Sequence, residues 1–132
     1  MVKMEKESIA NVLNDLLKNK EVLGCMIVDR NMNFIMPTSE KFDVGANKVM
    51  DDFKRTSNNI FKMIDSYSEV KLKQMKWTLK DCDVWFYVFP DFQSTLMAIV
   101  TQISNEELIK VKLEKARQKI LKIIKERAIQ SK

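Results

Sequence analysis

The sequence predicts an α/β protein of the α+β kind, a layered sandwich whose mainly antiparallel five-stranded sheet has helices on both faces. Amphipathic helical patterns and strand patterns follow one another in the order α-β-β-α-β-β-β-α. Three of the strand patterns are apolar on both faces, and such strands must be covered on both sides. The composition is 45% hydrophobic and 31% charged with two glycines and two prolines, which is typical of a folded chain.

The 132 residues are predicted to form one domain over residues 1–132. The first residues lack the apolar segment of a signal peptide, and the longest apolar run, residues 84–89, is far shorter than the ~20 residues that cross a bilayer. Two cysteines, Cys25 and Cys82, are too few for a disulfide framework and indicate reduced thiols in a core. These features predict a cytoplasmic protein. The histidine-free composition, rich in lysine and isoleucine, is compatible with an archaeal source.

The first helix is predicted over residues 4–19, where apolar residues recur at helical spacing: Ile9, Val12, Leu13, Leu16 and Leu17. A hairpin follows, with strands over about residues 22–29 and 33–37. Pro37 is expected to end the second strand because proline has no N–H for the hydrogen-bond ladder.

A second helix is predicted over residues 43–64, where apolar residues again recur at helical spacing. The third strand, about residues 70–79, alternates apolar residues with lysines. That pattern suits an edge strand, because lysines discourage unwanted pairing. The alternation slips by one residue near Lys73 and Gln74, which predicts a bulge. Strands over about residues 84–89 and 95–102 complete the sheet.

Residues 104–107 form a capping-box pattern that opens a last helix reaching about residue 129. Its apolar seam steps by four and three residues: Ile109, Leu113, Ala116, Ile120 and Ile123. Residues 104–132 hold nine Lys or Arg and four glutamates, so the whole net charge of +5 lies in this segment. The seam predicts a helix packed on the sheet. As an alternative, residues 122–132 form a basic extension with Lys122, Lys125 and Arg127.

The sequence offers no catalytic constellation. Without histidine there is no imidazole base, no histidine-activated nucleophile and no histidine metal site. Asp81 and Asp83 fit a hairpin turn better than a metal site, and adjacent Asp51 and Asp52 point about 100° apart on a helix. Two separate glycines cannot form a phosphate-binding loop. The chain is therefore predicted to have no enzymatic activity and no cofactor.

Several positions resemble the roadblock family, the dynein light-chain-like domains that also occur as small stand-alone prokaryotic and archaeal proteins. Gly24 matches the glycine inside the family's first strand, and Asp29 matches the acidic residue that begins its hairpin turn. Asn33 stands where the family usually has glycine, and asparagine tolerates such a turn. Pro90 and Asp91, followed by the strand at 95–100, resemble the family's late turn and last strand. The resemblance implies a roadblock/profilin-like fold.

The resemblance also implies a function without active-site residues. Roadblock domains pair through their third strands and second helices, and the dimer serves as a platform for small Ras-like GTPases or as an adaptor subunit of a motor or signalling assembly. The partners implied are a second copy or a roadblock paralogue, and a small Ras-like GTPase. The expected dimer interface comprises Val49, Met50, Phe53, Val70, Leu72, Met75 and Trp77. The expected partner-binding residues are Asp51, Asp52, Arg55, Asn58 and Asn59.

Two other functions fit the sequence. The basic extension could bind an anionic membrane surface or, less favoured, nucleic acid, and removing residues 122–132 would then abolish partner binding. A ligand-binding sensor would need an internal pocket near Trp77 and Trp85. The longin domain, of related architecture, begins with strands, whereas a helix comes first here.

Overall fold

The computed structural model of the chain describes residues 2–31, 33–38, 44–67, 69, 72–89, 94–102 and 105–130, with the backbone alone for 2–6, 44–47, 56–57 and 127–130. The elements follow the predicted order. They are α1 (Val2–Leu17), β1 (Val22–Asp29), β2 (Phe34–Ile35), α2 (Val44–Ser66), β3 (Gln74–Thr78), β4 (Cys82–Phe89), β5 (Ser94–Thr101) and α3 (Glu106–Gln130).

The five strands form one antiparallel sheet in the order β2-β1-β5-β4-β3. The three strands that the sequence predicts to be apolar on both faces, β1, β4 and β5, are the three central ones. β2 and β3 are the edges, as the alternating lysines of the third strand predict. The predicted sandwich, with helices on both faces of the sheet, is confirmed.

Each face of the sheet has its own hydrophobic core, because side chains alternate along each strand. On one face, α1 and α3 cover the inward side chains of β1, β4 and β5, including Trp85 and Leu96. On the other face, α2 covers the remaining side chains of the same strands, including Phe86 and Met97. The aromatic residues of β4 therefore lie in the core, on both faces of the sheet.

The β1–β2 hairpin is organised by the carboxylate of Asp29. Its Oδ1 accepts hydrogen bonds from the backbone N–H groups of Asn31 and Asn33, both at 2.9 Å. Its Oδ2 accepts one from the Asn33 side chain at 3.1 Å. Satisfying these loop amides locally is what an acidic residue at the start of a turn does, so Asp29 has the role expected from its position.

The bulge predicted at Lys73 and Gln74 is not found there, since β3 pairs with β4 in regular register from Gln74 to Thr78. The alternation slips at that point because the strand begins there. A register shift lies instead in β1, between Val22 and Gly24 opposite β5. Glycine suits a bulge because it lacks a Cβ.

The start of α3 is capped within the residues of the predicted capping-box pattern. Ser104, the first residue of the capping-box pattern, lies outside the described residues. Asn105 caps the helix, because its Oδ1 accepts a hydrogen bond from the backbone N–H of Leu108 at 3.2 Å. The predicted seam is confirmed: Ile109, Leu113, Ala116 and Ile120 are buried against the sheet and α1, and Ile123 is partly buried.

Both cysteines are buried and form no disulfide, as predicted. Cys25 lies in β1 beneath α1, where its Sγ donates a hydrogen bond to the Leu13 carbonyl at 3.6 Å. Burial raises the pKa of the Cys25 thiol to about 12, because a thiolate has no water to solvate it there. Cys25 is therefore an unreactive core residue at neutral pH.

Candidate interaction surface

The outward side of α2 carries the residues predicted to bind a partner. Asp51, Arg55, Asn58 and Asn59 are exposed, and Asp52 is partly buried. Asp52 forms an ion pair with Arg55 one turn along the helix. The structure therefore brings all five onto the solvent-facing side of one helix, away from the sheet.

Two of the predicted interface residues lie elsewhere. Met50 and Phe53 face the sheet, are 2% and 1% exposed, and belong to the core beneath α2. Side chains this deeply buried have no surface to give to a partner, so an interface on this helix uses its flank instead. Val49, Leu72, Met75 and Trp77 are partly exposed at the border of that core. Val70 lies outside the described residues.

The orientation of α2 defines which flank faces β3. Lys54 lies over the Phe34 ring of β2 at 5.4 Å, and Asp65 accepts a 2.7 Å hydrogen bond from Arg30 at the end of β1. That flank faces the β2 edge, so the opposite flank faces β3. Val49, Met63 and Tyr67 share this opposite flank because their spacing of 14 and 4 residues returns to nearly the same helix direction.

The flank of α2 and the edge strand together expose an apolar strip. We call this the edge strip; it comprises Val49, Met63, Tyr67, Leu72, Met75, Trp77 and Leu79. Met63 and Tyr67 are 42% and 52% exposed, and the Tyr67 carbonyl accepts a hydrogen bond from the Leu72 N–H at 3.4 Å. The sequence did not predict Met63, Tyr67 and Leu79 to be surface residues. Met63 continues the apolar spacing of the second helix and Leu79 the alternation of the third strand, and both patterns predict buried side chains.

The backbone of β3 has an open outer side. The Lys73 carbonyl accepts a bond from the Val88 N–H, and the Leu79 N–H donates to the Cys82 carbonyl, so these residues face β4. Direction alternates along an antiparallel strand, so the N–H and C=O groups of Gln74, Lys76 and Thr78 point away from β4. No strand of the described residues pairs with them.

Lys76, in the middle of β3, is held by two carboxylates on the α3 face of the sheet. Its Nζ lies 2.5 Å from Glu106 Oε1 at the start of α3 and 3.6 Å from Asp83 Oδ2 on β4. It also lies 5.0 Å from the centre of the Trp85 ring. The hydrogen bond to Lys76 lowers the pKa of Glu106, and the same bond raises the pKa of Lys76. The one lysine of β3 is thus neutralised locally.

These shifts predict a pH dependence of stability. Because the pKa of Glu106 is lowered by folding, its contribution is present above its ordinary pKa and is lost as pH falls through the lowered value. We expect Glu106→Gln to lower the free energy of unfolding at about pH 7 and to have less effect at about pH 3, in urea titrations. Glu107→Gln, in the same helical turn, is the control. An equal effect of Glu106→Gln at both pH values would contradict the assignment.

A groove of about 310 Å³ lies between the start of α3 and the ends of β3, β4 and β5, lined by residues that include Lys76, Asp83, Trp85, Gln102 and Glu106. The ligand-sensor hypothesis required one pocket near both tryptophans. Trp85 belongs to the core under α1 and α3, whereas Trp77 packs on the α2 side of the sheet. The sheet separates them, so they share no pocket.

The predicted basic extension begins later than expected. Lys122 and Lys125 are exposed, but Ile123 and Ile124 still pack against the core under α3. Only the helix beyond residue 124 can extend past that core, and the Arg127 side chain lies outside the described part of the chain. Within that part, no group of acidic or cysteine side chains could hold a metal ion, and no helix is long and apolar enough to span a membrane.

The three layers, the strand order and the open β3 edge beside α2 define the roadblock fold, and the chain has that fold. No family model and no curated protein matches the sequence. Solved structures do match. Myxococcus xanthus MglB superposes with a TM-score of 0.71 at 15% identity, over 92% of this chain and 90% of that one.

Two further structures agree. A Roadblock/LC7 domain from Streptomyces avermitilis has a TM-score of 0.64 at 6% identity, over 87% of this chain and 96% of its own. The gliding protein MglB from Thermus thermophilus has a TM-score of 0.63 at 9% identity, over 92% of both chains. At these identities the likeness establishes the fold, and it confirms the roadblock fold that the resemblance implies.

Proposed function

We propose that this chain is a non-enzymatic homodimeric platform that binds a small Ras-like GTPase through the outward side of α2. The observation that carries the proposal is the edge strip beside the open backbone of β3 in a chain of roadblock fold. Roadblock domains, as the resemblance implies, pair through these two elements and present a platform to such GTPases. A roadblock paralogue as the second subunit, or a place in a motor or signalling assembly, would use the same surfaces.

The geometry of β3 supports self-pairing. Gln74, Lys76 and Thr78 present the outward backbone groups, so an antiparallel pair that uses all three on each strand centres on Lys76. Two lysines would then lie opposite each other, which is unfavourable when they are unpaired. Glu106 and Asp83 neutralise each of them, so this lysine does not blunt the edge as edge lysines usually do.

The edge strip adds apolar contact to the backbone pairing. The side chains of Met75 and Trp77 lie on the α2 side of the sheet, and Met63 and Tyr67 are exposed at the end of α2. A second copy bound along β3 would remove this strip from water, which is the dominant favourable term in most association. Large exposed apolar side chains gathered at one edge are typical of an interaction site.

Pairing of identical antiparallel edges places the two-fold axis perpendicular to the sheet, so both α2 helices lie on the same face of the dimer. Their outward residues, which include Asp51, Arg55, Asn58 and Asn59 in each copy, then form one mixed polar surface. Such a surface provides charged and hydrogen-bonding groups for a partner, and we expect its effect on a GTPase to come from binding.

Affinity capture on the immobilised full chain tests this function. Lysate of the source organism is loaded with a GTP analogue or with GDP, and retained proteins are identified by mass spectrometry at low and moderate salt. We expect a Ras-like GTPase to be retained at moderate salt. We expect Asn58→Arg to reduce its retention at least about tenfold, since a charged, bulky side chain within a buried interface disrupts packing and leaves a desolvated charge.

Asn11→Arg is the matched control, because Asn11 is an exposed asparagine on α1, on the opposite face of the sheet. It should leave retention unchanged. Equal retention by wild type and Asn58→Arg would contradict the assignment to α2. Loss of all binding on removal of residues 122–132, with Asn58→Arg unaffected, would favour the basic extension as the functional element.

A further inference from the structure

Three glutamates on the first half of α3 each form an ion pair. Glu106 pairs with Lys76 of β3, Glu107 lies 3.8 Å from Lys110, and Glu114 bonds Arg117 at 2.9 Å. Five other lysines of α3 are outside these pairs, and four of them form what we call the lysine row: Lys112, Lys115, Lys119 and Lys122. We propose that this row, on the face made by α1 and α3, binds the surface of a membrane that contains anionic phospholipids.

The lysine row follows one flank of the helix. Its members are spaced by 3, 4 and 3 residues, which keeps them on one side of an α-helix over about 15 Å. Lys115, Lys119 and Lys122 are exposed, and no carboxylate of the described side chains lies within ion-pair distance of them. Lys112 is partly buried, with its Nζ 2.5 Å from Asn19 Oδ1 of α1.

The other charges on this flank do not cancel the row. Asp15 of α1 lines the same shallow groove between α1 and α3, but it pairs with Lys18 at 3.2 Å. Of the described side chains of α3, Glu126, one turn beyond Lys122, is a further exposed carboxylate. The flank therefore keeps a clear positive excess, which is complementary to anionic lipid headgroups.

Neighbouring apolar side chains favour a membrane over nucleic acid. Leu108 and Val111 are exposed on the outward side of α3, next to the N-terminal end of the row. Exposed aliphatic side chains beside lysines are typical of surfaces that lie in the headgroup region of a bilayer. They offer little to a phosphate backbone, which is bound by charge and polar contacts. The paired helices α1 and α3 also form a broad layer rather than a cleft.

Dimerisation would double this surface. The two-fold axis perpendicular to the sheet puts the α1–α3 layers of both copies on one side, opposite the two α2 helices. A dimer would then bind a membrane on one side and a GTPase on the other. The membrane surface itself does not rest on the proposed function; only this doubling does.

Co-sedimentation with vesicles tests the proposal. The full chain is mixed with vesicles of phosphatidylcholine containing about 30% phosphatidylserine, and with phosphatidylcholine alone, at about 0.05 and 0.5 M salt, because screening weakens exposed charges. We expect binding to the phosphatidylserine vesicles that is lost at high salt. Because each lysine near an anionic surface changes partitioning about fivefold, the triple variant Lys115→Gln, Lys119→Gln, Lys122→Gln should bind on the order of 100-fold more weakly.

The matched control is the triple variant Lys48→Gln, Lys62→Gln, Lys80→Gln, which removes the same charge from exposed lysines on α2 and the β3–β4 turn. It should retain most of the binding. Failure of the wild type to sediment at low salt, or equal loss in both triple variants, would overturn the proposal. Salt-dependent binding of a short DNA duplex or of polyglutamate to the row, without binding to vesicles, would also overturn it. The triple variant of the lysine row should still capture the GTPase, because the proposed GTPase surface is on α2. This measurement therefore tests the proposed function independently of membrane binding.

Discussion

Replacing Phe86 with alanine is expected to lower the free energy of unfolding by about 4 kcal/mol. Phe86 is fully buried in β4, beneath α2. Its ring centre lies 5.3 Å from that of Phe53 and 4.6 Å from that of Trp77. The substitution leaves a cavity and also removes two aromatic contacts, one to α2 and one to the edge strand. Since small domains are stable by only about 5–15 kcal/mol, this loss would bring the chain near unfolding.

Urea titration followed by far-UV circular dichroism measures the effect of Phe86→Ala. Leu108→Ala is the control, because Leu108 is 42% exposed on α3, and its removal should change the unfolding free energy by less than about 1 kcal/mol. A loss below about 2 kcal/mol for Phe86→Ala would show that α2 and β3 do not depend on this ring for their packing.

Thr78→Pro is expected to weaken dimerisation on the order of 100-fold, as measured by light scattering across a dilution series. The Thr78 N–H points away from β4, so proline removes an outward hydrogen bond from each copy without breaking the β3–β4 ladder. The proline ring would also clash with a strand that approached along this edge. Folding of the monomer should change little, because proline is tolerated on the outer side of an edge strand.

Thr78→Val is the matched control, since it keeps the backbone N–H and a β-branched side chain suited to a strand. It should remain dimeric. A Thr78→Pro protein that stayed dimeric while folded would exclude β3 as the interface. A wild-type chain that was monomeric at all concentrations would contradict the dimer itself and leave the α2 surface as the only part of the proposal to test.

Local pattern predicted much of the fold. β1, β4 and β5 are apolar on both faces and proved central, and the alternating third strand proved to be an edge. Hydrophobic periodicity records which side of an element is buried, so it predicts these features well. Boundaries were less well predicted. β3 begins at Gln74 instead of near residue 70, and α3 begins at Glu106, capped by Asn105.

The candidate surfaces were predicted less completely. Helical periodicity places Met50 and Phe53 on the apolar side of α2 but does not say whether that side meets the sheet or a second chain. The structure shows that it meets the sheet. Met63 and Tyr67 are the opposite case, since they are exposed on the surface. Their exposure depends on how far the flank of α2 reaches beyond β3, which the sequence does not specify.

The sequence by itself determined the order of the elements, the two-sided burial of the central strands, the Asp29 turn and the location of the excess charge in the last helix. These depend on residues close together in the chain. Only the tertiary structure decided the strand order, the pairing of Lys76 with Glu106 across 30 positions, and the lysine row that remains once the other charges of α3 are paired. Such contacts join residues far apart in sequence, and no local pattern specifies which distant charges will meet once the sheet has formed.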